Sequence, residues 1–177
     1  NYLDREVRRH KTLEENEMKL NEELGFNNIY KVICRGADGE VKWVEEQPNL
    51  VTTEGKNHLL DTVFHGGTAV TTWYIGLKAT GTALAADTLA SHSSWAEVSN
   101  YSGTRKAWTE GAARSGSTTN ASSVDFAING TATAAGAFLA SVTSGTTGTL
   151  LGVADFSTSR SIVSGDTLQV TLTVSVS

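Results

Sequence analysis

The chain has 177 residues, 39% of them hydrophobic and 7% aromatic, and a net charge of -5. This is long enough for one domain with an apolar core plus an appendage, and too acidic for general affinity to nucleic acid backbones, which needs clustered Lys and Arg. The single cysteine, Cys34, excludes an intrachain disulfide framework and a multi-thiolate metal site, and no apolar run is long enough to span a membrane.

Residues 1–60 hold 21 of the 33 charged side chains, and the rest of the chain is dominated by Thr, Ser, Ala and Gly. That shift separates an N-terminal arm, residues 1–26, from a domain over 27–177. Tyr2 to Leu24 lacks Gly and Pro and is rich in Glu, Lys, Arg and Leu, so a helix ended by Gly25 is expected. Leu3, Val7, Leu13, Leu20 and Leu24 make an apolar stripe. The heptad is imperfect, because Glu17 falls on the seam. Basic residues (Arg5, Arg8, Arg9, Lys11) precede acidic ones (Glu14, Glu15, Glu17, Glu22, Glu23). This end-to-end segregation suits helix docking better than duplex binding. Leu3, Val7, Arg8, Leu13, Leu20 and Leu24 are therefore the candidate partner-binding residues.

Ile29–Arg35 and Val41–Glu46 flank Asp38-Gly39, which predicts a hairpin with Trp43 as its aromatic anchor. Cys34 falls in the first of these strands and is expected to be a buried, inert thiol. Thr52 or Thr53 can cap a short helix running to Phe64, with Leu59, Leu60, Val63 and Phe64 as its buried face and His65-Gly66-Gly67 as its stop. Beyond it, alternation predicts strands at 71–78, 104–109, 123–128, 133–141, 149–156 and 167–176. Trp73, Ile75 and Leu77 share one face of the first. Asn129-Gly130 is read as a hairpin turn between the third and fourth. In the last, Leu168, Val170, Leu172, Val174 and Val176 alternate with Gln169, Thr171, Thr173 and Ser175. Eight strands with one short internal helix predict a mainly β fold, an antiparallel β-sandwich of jelly-roll or immunoglobulin-like type.

Catalytic chemistry is weakly signalled. His58, Asp61 and His65 fall near one helical face and could form half a metal site, but spacing points to no fourth ligand. His92 neighbours Ser91 and Ser93 in a loop, without a nucleophile elbow. Ser144-Gly145-Thr146-Thr147-Gly148 lies between two β runs and is read as a hairpin loop rather than a phosphate cradle. No enzyme activity, no cofactor and no metal are expected.

One run of residues goes from Asn49 through Thr52, Thr53, Glu54, Gly55 and His58 to Asp61, and then through Thr71 to Leu77. A second covers Ala86 to His92 with Trp95, Glu97, Arg105 and Trp108, and a third joins Gly136–Leu139 to Ser159–Leu168. Together they resemble small structural proteins of tailed bacteriophages. The resemblance implies a virion setting, with synthesis in the cytoplasm of a bacterial host. Proteins of this size and kind resemble capsid decoration (cement) proteins. That implies a homotrimer on the capsid surface whose partners are the major capsid protein and its own copies, with no nucleic acid or membrane contact. The alternative is a tail or fibre component, including a carbohydrate-binding adhesin using Tyr74, Tyr101 or Trp95 as an aromatic platform.

Overall fold

The structure, a computed structural model, describes residues 25–112 and 115–176. The expected arm helix, with Leu3, Val7, Arg8, Leu13, Leu20 and Leu24, lies outside the described residues.

The elements, in chain order, are β1 (Phe26–Arg35), β2 (Val41–Pro48), β3 (Leu50–Val51), α1 (Thr53–Phe64), β4 (Trp73–Lys78), β5 (Lys106–Trp108), β6 (Ser117–Thr119), β7 (Val124–Ala127), β8 (Ala132–Ala140), β9 (Leu150–Ile162) and β10 (Thr167–Val176). They form two antiparallel sheets. In the first, β2, β1 and β10 lie side by side, and the far edge of β10 carries both β6 and β7. In the second the order is β3-β9-β8-β4-β5.

Alternation drives the first sheet. Tyr30, Val32 and Cys34 of β1 are buried, and so are Leu168, Val170 and Leu172 of β10. Tyr30 stands opposite Leu172, and Val32 opposite Val170. From the second sheet Ile75 and Leu77 of β4, Ala137 and Leu139 of β8, and Leu151 and Ala154 of β9 join them in one core. Each large apolar side chain sealed there contributes about 1.5–3 kcal/mol. Burial fades at the end of β10, where Val176 is exposed.

Two joints show how the sheets are completed. Between its contacts with β6 and β7, β10 has an unpaired stretch that Asn120 fills. Leu172 donates its N–H to Asn120 Oδ1 at 2.7 Å, and Asn120 Nδ2 donates to the Val170 carbonyl at 2.9 Å. This side chain thus replaces ladder bonds that no strand supplies. On the opposite seam Glu45 of β2, only 4% exposed, accepts from Arg160 Nε at 2.9 Å and from Ser157 Oγ at 2.9 Å, both on β9.

Four expectations need correction. Asn129-Gly130 does not close a hairpin, because β7 pairs with β10 in one sheet and β8 with β4 and β9 in the other. Ile128 and Asn129 donate their N–H groups to the carbonyls of Asp166 and Asn100, which turns the chain across the sandwich. Of the proposed helix face, only Leu59 packs against the core, while Leu60, Val63 and Phe64 are exposed. The described residues hold ten strands rather than eight: β3 and β6 are too short to show alternation. β9 runs six residues past the expected end at 156, because its polar Ser157–Ser161 stretch still pairs with β8 through Arg160 and Ser161. The Asp38-Gly39 turn forms as expected, with Gly39 at φ 83° and its N–H donating to the Gly36 carbonyl.

Candidate functional site

α1 starts where its sequence places it. Thr52 Oγ1 accepts from the Gly55 N–H at 3.0 Å and donates to the Leu150 carbonyl at 2.6 Å, capping the helix and fixing it to β9. Gly55 is obligatory there: a Cβ would stand 2.2 Å from the Leu151 carbonyl oxygen. Glu54 Oε2 accepts from Leu89 N–H at 3.0 Å and Leu150 N–H at 2.6 Å, tying helix, loop and sheet together.

Leu89 belongs to the long 79–105 segment between β4 and β5, which covers the outer face of the second sheet. Leu89 and Trp95 pack there on Phe138, Ala140, Leu150 and Val153, a second apolar cluster. This explains why both faces of β4 are buried, Gly76 and Lys78 included, where alternation predicts one polar face. Polar groups hold the cover in place. Lys78, fully buried, meets Asp155 at 2.8 Å and also donates to the carbonyls of Ala79 and Gly81. Asp87 Oδ2 accepts from Trp95 Nε1 at 2.8 Å and from Leu84 N–H at 2.9 Å. Arg105 contacts both Glu97 oxygens and donates to the carbonyls of Val142 and Gly145 at 3.1 and 2.9 Å. Gly81, at φ 118°, lets the chain pass Ser94, whose carbonyl oxygen would lie 1.9 Å from a Cβ.

A groove of about 560 Å³ opens between α1 and this cover, lined by Asn57, His58, Asp61 and Thr88 among others. His58 stands edge-on to Trp73 with ring centroids 5.5 Å apart. Asp61 Oδ1 and His65 Nδ1 are 2.8 Å apart on the open surface. The spacing thus brings Asp61 and His65 together, but among the described residues no group of three or more His, Cys, Asp or Glu could hold a metal ion.

His92 does not engage a serine. Its Nδ1 lies 3.0 Å from the Thr88 carbonyl, and its ring stacks on Trp95 at 4.1 Å. Cys34 is buried as expected. Burial pushes its thiol up to about 11, with Asp166 adding to the shift and Lys42 opposing it. Trp95 and Tyr101 are 5% and 4% exposed, so neither can serve as the aromatic platform that the adhesin alternative requires. Burial, followed by the charge of Glu97, raises the Tyr101 hydroxyl.

Residue reading missed the charge pairs beneath the cover, although a signal existed. Only 12 charged residues lie beyond position 60, and Lys78, Asp155, Glu97 and Arg105 are four of them. In a Thr/Ser-rich chain, isolated charges are candidates for buried pairs.

The family model described as podophage GP4 fiber I protein gp80 matches residues 51–175. The chain belongs to this family. The match begins at the second residue of β3 and runs almost to the end of β10, so it takes in α1, the covering segment and the whole second sheet except Leu50. The gp80 family makes the chain a phage structural protein, in keeping with the resemblance carried by Asn49 onwards. No curated protein matches the chain. Among the described residues no helix is long and apolar enough to cross a membrane.

Proposed function

We propose that the protein is a fibre component of a podophage-type virion, a non-catalytic module that works by adhesion through a rigid pleated scaffold. The family match over residues 51–175 carries this reading. It favours the tail over the capsid surface, so capsid cementing through a homotrimer on the major capsid protein becomes the less supported role. The structure is compatible with passive work. Among the described residues the buried charges hold the 79–105 cover or, as with Glu45, a seam between strands, and the imidazoles are exposed, stacked or set against Trp73. A fibre is present in few copies and a capsid cement in hundreds. Quantitative mass spectrometry of purified virions, scaled to the major capsid protein, therefore tests the reading. A few to some tens of copies per particle is the expected result; several hundred would return the protein to the head.

A further inference from the structure

Asn28 sits on the inward face of β1, 1% exposed, in the row that continues with Tyr30 and Val32. Across the strand pair its neighbour is Asn49. Ile29 stands opposite Pro48, so the next step of the same register sets Asn28 against Asn49, and Asn49 donates its N–H to the Asn28 carbonyl at 2.7 Å. Directly opposed residues of an antiparallel pair point to the same side, so both amides turn inward. Gly152 of β9 makes the room: it stands opposite Leu139 of the main core, and a Cβ on it would collide with the Asn49 amide. Asn49 is also the one residue between β2 in the first sheet and β3 in the second, where the chain crosses the sandwich.

Both amide atoms of Asn28, both of Asn49 and the Tyr30 hydroxyl are shut off from solvent, with no hydrogen-bond partner among the described residues. Buried polar atoms in folded proteins are partnered almost without exception, by protein or by ordered water. The set mixes donors with acceptors. An amide offers both whichever way it is turned, and burial, which raises the Tyr30 hydroxyl, keeps its proton in place. A cation would satisfy only the oxygens, and an anion only the donors, whereas water donates and accepts. We propose that Asn28, Asn49 and Tyr30 form a site for internal water that ties β1 to the 48–50 crossing. One water makes about four hydrogen bonds at most, and five atoms call for partners, so the site takes at least two.

The test is water deuteron magnetic relaxation dispersion, which counts waters held inside a protein for longer than it takes to tumble. It is run on the full chain, on Asn49→Leu and on Asn28→Leu, with tryptophan fluorescence to confirm that each is folded. Each variant should lose at least one long-lived water relative to the unaltered chain; an unchanged count in a folded variant would overturn the proposal. A crystal structure of the unaltered chain keeps the test decisive should either variant fail to fold. Water oxygens about 2.7–3.2 Å from the Asn28 and Asn49 amides are the expected result. Amides bonded directly to each other, or a cation held by the Oδ1 atoms, would overturn it.

Discussion

The outer faces of the two sheets have opposite fates. That of the second sheet is roofed by residues 79–105, sealing Phe138, Ala140, Leu150 and Val153 under Leu89 and Trp95. Among the described residues that of the first sheet is bare: Lys31 and Ile29 of β1 and Val44 of β2 are exposed, beside half-buried Gln169, Thr171 and Thr173 of β10. The second sheet thus resembles a core layer with apolar residues on both sides, whereas the first shows plain inward-outward alternation. A sheet can carry charge in its interior only if every charge is partnered, and Lys78 of β4 and the roof's Asp87 and Arg105 each have two or more partners. The bare face seals no charge away from water, so substitutions there should cost little.

That contrast can be broken most severely at Trp95. Trp95→Ala removes a ring 5.3 Å from Phe138 and leaves Asp87 without its indole donor. Denaturant unfolding should show a loss of about 3–5 kcal/mol. Lys78→Met keeps the apolar stem but removes the bonds to Asp155, Ala79 and Gly81. The expected loss is about 2–3 kcal/mol, tempered because Asp155 can turn to water. Proteolysis confined to 79–105 at neutral pH would show that the roof, rather than the body, is what opens.

Glu45→Gln probes the seam. Burial opposes the charge of Glu45, but Arg160, Ser157 and Gln47 together hold its carboxyl below the usual range. A lowered folded-state value means that the stabilisation is fully present above the unfolded carboxylate range and is lost as pH falls through the folded one. Glu45→Gln should therefore destabilise the protein at pH 7, and variant and parent should draw together as pH falls through the carboxylate range. Persistence of the full difference at pH 3 would contradict the assigned role. The smallest effect belongs to the open face: Thr171→Glu, which would stand opposite Lys31, should shift stability by no more than about 0.5 kcal/mol.

The same contrast decides how much was legible in the residues alone. The first sheet's alternating strands β1 and β10 can be read directly, because one face is wet and the period of two is unmasked. The second sheet gives a blurred signal. Gly76 and Lys78 look outward-facing in sequence, and only the folded 79–105 segment shows why both are buried. Asn129-Gly130 misleads because a turn signal specifies a reversal, not the sheet to which the chain returns. The helix at 53–64 is legible with its cap, but its orientation is not. Gly55, rather than the leucines, sets the face that touches β9, through a backbone approach that apolar periodicity cannot report.

Gold labelling of intact virions through a tag in the exposed 143–147 loop would test most directly whether this scaffold serves a fibre. The account predicts label confined to the tail end of the particle. Label spread evenly over the head would contradict it.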